Sequence, residues 1–108
     1  MAAMASISDH LFAVDHPTAE GHFPGNPIIP GAVLLEAVLR AADLAGRHTA
    51  YEIRAAKFLH PVRPGDRMEI RCEDLPASDT RFGGVKFDCV VAHRTVLTGS
   101  IGWLGASV

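Results

Sequence analysis

The sequence lacks the features that mark several large classes of protein. Its two cysteines, Cys72 and Cys89, show no Cys-x-x-Cys spacing, so buried free thiols are expected. No stretch approaches the ~20 apolar residues of a membrane-spanning helix, and no basic segment followed by a long apolar one opens the chain. The formal net charge of −2 gives no overall attraction to nucleic acid or to an anionic membrane. We therefore expect a soluble cytoplasmic protein with no nucleic-acid or membrane partner.

The histidines do not form a metal-binding pattern. His10, His16 and His22 recur every six residues, an interval at which neither a helix nor a strand brings ligands together. No metal is therefore expected, and no cofactor is expected either. The other three are interpreted as ordinary surface residues of turns or strand ends: His48, His60 and His93.

The length of the chain limits the number of domains, and its apolar patterns predict the strands. A chain of 108 residues predicts one domain, 1–108, near the size at which a second subunit helps to bury apolar surface. After the turn at Pro64-Gly65-Asp66, Met68, Ile70 and Cys72 alternate with charged residues, which predicts a half-buried strand. Four further strands are predicted from apolar or alternating patterns, the second with a bulge: 7–14, 51–58, 85–91 and 95–104.

A proline-stiffened loop precedes the longest apolar segment. Residues 21–31 read Gly-His-Phe-Pro-Gly-Asn-Pro-Ile-Ile-Pro-Gly, with a proline at every third position. Each proline fixes its own φ and restricts the residue before it, so the loop can hold His22 in one orientation. Gly25 and Gly31 allow close approach of the backbone to a ligand.

The apolar segment predicts a buried helix with one acidic residue. Ala32 to Ala45 favours a helix, is apolar on nearly every side and stops at Gly46. Glu36 lies in its second turn, where an ionised carboxylate without a partner is costly. Taken singly, a loop histidine usually bonds to backbone and a helical glutamate usually faces water. Together, the rigid loop and the apolar helix favour an acid–base pair.

At these residues the chain resembles the β-hydroxyacyl-thioester dehydratases of fatty-acid and polyketide synthesis. Members carry a Gly-His-Phe-Pro-Gly-x-Pro-x-x-Pro-Gly loop before an apolar helix with an acidic residue, and His22 and Glu36 have the family's spacing of 14. Residues 57–66, Lys-Phe-Leu-His-Pro-Val-Arg-Pro-Gly-Asp, look like the family's next strand and turn. The short chain is most similar to stand-alone dehydratases of fatty-acid, polyketide or aryl-polyene pathways. The resemblance implies an α+β hot-dog fold, with an antiparallel β-sheet wrapped around one long central helix.

The resemblance also implies a reaction and roles for the residues. A 3-hydroxyacyl thioester loses water to give the trans-2-enoyl thioester, which requires a base for the α-proton and an acid for the β-hydroxyl. His22 titrates near neutral pH and is the expected base. Glu36 is the expected acid, because an apolar site favours the protonated carboxyl. The N–H of Gly31, at the positive end of the helix, is the expected donor to the substrate carbonyl. The expected substrate-binding loop contributes Phe23, Pro24, Gly25 and Pro30.

Related dehydratases pair the histidine of one subunit with the acid of the other, so a homodimer with shared active sites is expected. The substrate is expected on an acyl carrier protein, with coenzyme A as the other carrier. A basic landing patch would come from exposed arginines, for which Arg40, Arg63 and Arg67 are the candidates. Arg40 stands where many members carry Gln. The alternative functions are a hot-dog acyl thioesterase and a non-catalytic acyl-thioester-binding subunit.

Overall fold

The alternating segment around Met68, Ile70 and Cys72 forms a strand next to one edge of a five-stranded antiparallel sheet. The computed structural model describes residues 5–14, 27–43, 46, 48, 50–77 and 82–105. The strands and the helix follow one another as β1 (Ala5–Leu11), α1 (Gly31–Ala42), β2 (Tyr51–Phe58), β3 (Arg67–Leu75), β4 (Gly84–Val91) and β5 (Arg94–Trp103). The predicted α+β class is confirmed, with strand and helix ends shifted by up to three residues.

The strand order of the sheet is β1-β3-β4-β5-β2, and every neighbouring pair is antiparallel. The strands β3, β4 and β5 follow one another directly as a meander, while β1 and β2 take the two edges. Between β4 and β5 the chain reverses through Ala92 and His93, which have φ values of 50° and 65°. Two consecutive residues at positive φ match the right-handed twist of a hairpin.

A close approach between β5 and β2 explains a glycine in β5. A Cβ on Gly99 would collide with the carbonyl oxygen of Ala55, so only glycine fits there. The register between these strands shifts between Ile53 and Ala55, where a bulge was predicted. Close packing of β2 against β5 therefore places the end of β2, at Phe58, beside the start of the helix.

The helix covers the sheet with one side only. Leu34, Ala37 and Val38 are buried in the same core as sheet residues such as Phe87 and Leu97. Ala32, Glu36 and Arg40 are exposed. These three lie at i, i+4 and i+8, which a helix stacks into one stripe. The prediction of a helix buried all round is therefore wrong for the single chain, because the sheet offers the helix only one face.

Both cysteines are buried free thiols, as predicted. Burial raises the pKa of Cys89 to about 12, and the neighbouring Cys72 and Asp88 act in the same direction. Burial also raises the pKa of Cys72, with the charge of Asp74 adding to it. A thiol with a raised pKa is a poor nucleophile at neutral pH. We therefore interpret both cysteines, which lie in the buried core, as packing residues.

Candidate functional site

The structure describes only part of the predicted site. Glu36, Gly31 and Pro30 lie in or beside the first turns of α1 and are described. Residues 21–26 of the predicted loop lie outside the described residues, and four of them are predicted site residues: His22, Phe23, Pro24 and Gly25. Their roles as base and as substrate-binding loop therefore stay predictions.

The start of α1 carries backbone N–H groups that have no acceptor inside the helix. Pro30 is the N-cap, with φ −59° and ψ 146°, and its carbonyl accepts the N–H groups of Val33 at 3.0 Å and Leu34 at 3.3 Å. The N–H groups of Gly31 and Ala32 have no acceptor within the helix, as is usual in a first turn. The segment before the helix is fixed by the N–H of Ile29, which donates to the carbonyl of Val62 at 2.7 Å. The donor at Gly31 is thus held in a defined place.

An apolar pocket of about 570 Å³ opens at this end of the helix. It lies between the helix start and the segment that follows β2. Its lining is mainly apolar and consists of Ile28, Ile29, Pro30, Gly31, Leu34, Phe58, Leu59, His60, Pro61 and Val62. A pocket of this size and character, with a backbone donor at one side, suits an acyl chain with a polar head.

Sequence reasoning missed the contribution of residues 58–62 to this pocket. The motif at 57–66 was interpreted only as a strand and a turn. Phe58 and Leu59 are large apolar residues that remain 50% and 40% exposed at the end of an edge strand. Exposed apolar side chains beside a pocket are typical of ligand-binding surfaces.

Phe58 packs directly on Gly31. A Cβ built on Gly31 would lie 2.9 Å from both Cε1 and Cζ of the Phe58 ring. A side chain at position 31 therefore requires the ring to move. Gly31 has a steric reason to be glycine in addition to the predicted role of its N–H.

The environment of Glu36 differs from the prediction. Its side chain is 58% exposed, and its Oε1 lies 2.5 Å from a guanidinium nitrogen of Arg40, which is itself 73% exposed. The expectation that an apolar helix encloses this carboxyl is wrong for the single chain. Leu34, two residues earlier, lines the pocket, and a separation of two residues turns about 200° around a helix. Glu36 thus faces away from the pocket formed by the described part of its own chain.

The three candidate arginines of the carrier patch are all exposed. Arg40 pairs with Glu36, as described above. The backbone N–H of Arg63 donates to Asp66 Oδ2 at 2.8 Å, which ties the turn after the pocket segment. Arg67 is the first residue of β3, and it lies opposite Leu11 of the edge strand β1. Their exposure is compatible with the predicted patch and leaves their role a prediction.

A polar cluster lies at the other end of the helix. The Nδ1 atom of His48 lies 3.1 Å from Asp43 Oδ1, and the His48 backbone N–H donates to Asp43 Oδ2 at 3.0 Å. The His48 ring stacks on Trp103, with centroids 3.9 Å apart and planes 9° from parallel. Its side chain is only 19% exposed, so the interpretation of His48 as an ordinary surface histidine is wrong. Sequence offered no signal for this contact, because it depends on the helix end meeting the end of β5.

Among the residues that the structure describes, no group of three or more His, Cys, Asp or Glu side chains could hold a metal ion. Over the same residues, no helix is both long and apolar enough to cross a membrane.

Comparison with known proteins identifies the class. The ApeI-like family, described as ApeI dehydratase, matches residues 5–100. The chain belongs to this family. Its fold is the hot-dog fold, with one helix against a five-stranded antiparallel sheet.

A curated relative points the same way over part of its length. The chain is 39% identical to the 3-hydroxyacyl-[acyl-carrier-protein] dehydratase FabZ of Campylobacter curvus, in a match that covers 57% of this chain and 52% of the relative. The chain thus spans about half the length of the curated relatives it matches.

Solved structures share the fold at low sequence identity. The dehydratase heterocomplex ApeI:P from Xenorhabdus doucetiae has a TM-score of 0.73 at 20% identity, covering 91% of this chain and 85% of that one. The (R)-hydratase from A. caviae, involved in PHA biosynthesis, has a TM-score of 0.64 at 17% identity, covering 95% and 96%. These similarities establish the hot-dog fold.

Proposed function

We propose that this protein removes water from a 3-hydroxyacyl thioester to give the trans-2-enoyl thioester. The observation that carries the proposal is an apolar pocket whose lining includes Gly31, the first residue of α1, in a chain of the ApeI-like dehydratase family. The pocket suits the acyl chain, and the Gly31 N–H suits the thioester carbonyl. The proposed arrangement thus gives the acyl chain and the thioester carbonyl a binding group each.

The proposed chemistry needs no group beyond those of the chain. The His22 imidazole takes the α-proton, and the electrons of that C–H bond form the new double bond as the bond to the β-hydroxyl breaks. Glu36 gives its proton to the leaving hydroxyl, which departs as water. The N–H of Gly31 donates to the thioester oxygen while negative charge gathers there. A preorganised donor of this kind typically lowers the barrier by about 3 kcal/mol.

We further propose that the active site is shared between two copies of the chain. Glu36 faces away from its own pocket, so it can serve as an acid only where a second subunit brings another pocket to it. The edge strand β2 supports pairing, because all eight of its residues are exposed and one side of its backbone has no partner strand among the described residues. A twofold dimer would also cover Tyr51 and Ile53, which are large and exposed.

The acyl group is proposed to arrive on an acyl carrier protein. Arg40, Arg63 and Arg67 are the candidate contacts for its acidic surface, and coenzyme A is the alternative carrier. The name of the Campylobacter relative supports the first choice.

The test is the appearance of the enoyl-thioester absorbance from a 3-hydroxyacyl thioester. His22→Ala and Glu36→Gln should each lower turnover at least about a hundredfold, within the range that general acid–base groups supply. Glu69→Gln is the matched control, since Glu69 is also paired with an arginine, Arg71, at 2.5 Å on the sheet. Release of free thiol without enoyl product would instead indicate a thioesterase, and no turnover would indicate a binding subunit.

Mixing variants tests the shared site. After subunit exchange, His22→Ala and Glu36→Gln chains should together regain activity, because a mixed dimer has one intact site. No recovery in a verified mixed dimer would assign each site to one chain. Size-exclusion chromatography with light scattering should give twice the mass of the chain. If the protein is instead a monomer that is active only together with a second hot-dog chain, the shared site belongs to a heterocomplex and the homodimer is wrong.

A further inference from the structure

Phe58 is the most exposed of the four phenylalanines that the structure describes, ahead of Phe82 at 37%. Phe12 and Phe87 are fully buried in the core, whereas Phe58 is 50% exposed at the end of β2. Its inner edge packs on Gly31, with Cε1 and Cζ both 2.9 Å from the place of a Gly31 Cβ. The rest of the ring forms part of the pocket wall. A large apolar side chain in this position contributes less to the core than to the pocket.

The place of the ring relative to the Gly31 donor matters for a bound thioester. A carbonyl oxygen that accepts the Gly31 N–H lies about 3 Å from its nitrogen. The carbon next to that carbonyl then falls beside the helix start, within reach of the ring that covers Gly31. Leu34 and Ile29 are also in the pocket lining but are buried, so their positions are fixed by the core. Phe58 is an exposed wall residue in direct contact with Gly31, so its size can differ without disturbing the core.

We infer that Phe58 determines which substituents the substrate carries at the carbon next to the thioester carbonyl. The inference rests on the proposed dehydration and on Gly31 as the carbonyl donor. The ring excludes a branch at that carbon, so the wild-type pocket selects an unbranched 3-hydroxyacyl group. A single methyl group that a pocket must accept or reject changes kcat/KM by roughly tenfold or more.

The experiment compares two small substrates with four forms of the full chain. The substrates are the N-acetylcysteamine thioesters of 3-hydroxybutyrate and of 2-methyl-3-hydroxybutyrate, followed by enoyl absorbance. The proteins are the wild type, Phe58→Ala, Phe58→Leu and Phe82→Ala. Phe82 is the matched control, because it is an exposed phenylalanine that lines a different pocket, beside His48 and Trp103.

Wild type and Phe82→Ala should share one ratio of kcat/KM for the branched over the linear substrate. Phe58→Ala should raise that ratio about tenfold. Phe58→Leu keeps a smaller apolar side chain and should raise the ratio less. This variant provides the test if Phe58→Ala does not fold.

Three results would overturn the inference. An unchanged ratio in a folded Phe58 variant would show that the ring does not contact the substituent. Equal loss of both activities together with loss of the dimer would make Phe58 an interface residue instead. The wild type is tested with each 3-hydroxyacyl group as its N-acetylcysteamine thioester and on acyl carrier protein. If it dehydrates neither group in either form, the proposed function itself fails and the inference falls with it. Wild-type turnover with an unchanged ratio leaves the proposed function standing.

Discussion

The guanidinium of Arg40 lies 2.5 Å from a carboxylate oxygen of Glu36, one turn earlier on the exposed side of α1. The pair holds the proposed acid on the helix surface and ties it to a candidate residue for carrier recognition. Since both side chains are well exposed, the pair contributes little to stability, and a competing anion can draw Arg40 away.

Arg40→Gln should therefore separate stability from carrier recognition. The free energy of unfolding should change by less than about 0.5 kcal/mol, as expected for an exposed i,i+4 pair. The KM should rise several-fold for an acyl-carrier-protein substrate and stay close to the wild-type value for an N-acetylcysteamine substrate. Urea unfolding and steady-state kinetics measure the two effects. Arg71→Gln, which breaks the comparable pair with Glu69, is the control, and an equal rise in KM there would remove Arg40 from the patch.

The two roles of Gly31 can be separated in a background that removes the ring contact. In Phe58→Leu, a second change of Gly31→Ala adds a Cβ but keeps the N–H, and Gly31→Pro deletes the N–H. Proline is tolerated here, because it is favoured at the first helical position and Pro30 already has an extended ψ of 146°.

The alanine double variant should keep turnover within several-fold of Phe58→Leu, and the proline double variant should lose about a hundredfold. Thermal unfolding of both variants checks that the helix start survives. Equal turnover in the two would mean that the Gly31 N–H does not bind the reacting carbonyl.

Cys89 should make the protein sensitive to alkaline conditions. The folded pKa of its thiol is about 12, against 9.0 for a free thiol, so the folded chain holds a proton that the unfolded chain releases. The stabilising contribution is complete below pH 9 and is lost as the pH rises toward 12. Unfolding free energies from pH 8 to pH 11 should fall, and Cys89→Ala should flatten the slope. At pH 8, a thiol reagent should label neither cysteine until urea is added.

His48→Ala should lower the free energy of unfolding by about 1–2 kcal/mol, through loss of the hydrogen bond between Nδ1 and Asp43 and of the stacking on Trp103, while the backbone N–H at position 48 keeps its bond to Asp43. His93→Asn is a control, because His93 is exposed in a turn at φ 65°, which asparagine adopts readily. Trp103 is the chain's single tryptophan, so its fluorescence should change in the first variant alone. A stability change of under about 0.3 kcal/mol in His48→Ala would make the cluster incidental.

Sequence patterns predicted the elements whose causes are local. The period of two around Met68 and Ile70 identified β3, and the turn at Pro64-Gly65-Asp66 indicated where it begins. The exposed stripe of Glu36 and Arg40 was missed, because the apolar composition of the helix does not say which side meets the sheet.

The pocket was missed for a related reason. Phe58 reads as one more apolar strand residue, and only the pairing of β2 with β5 brings it onto Gly31. The stacking of His48 on Trp103 likewise joins residues that are distant in sequence. Contacts of this kind depend on tertiary structure, and single-residue patterns carry no record of them.

The order of strands in the sheet has a consequence for how the protein folds. The meander of β3, β4 and β5 joins neighbours along the chain, so it can form early with little loop-closure entropy. The edge strand β2 pairs across a long separation, with Tyr51 opposite Trp103, and the pocket needs this pairing before its wall exists. The pocket is thus expected to assemble after the meander and to open before it. Amide hydrogen exchange should be faster in β2 than in β4, which would make substrate binding a reporter on a weakly protected edge of the fold.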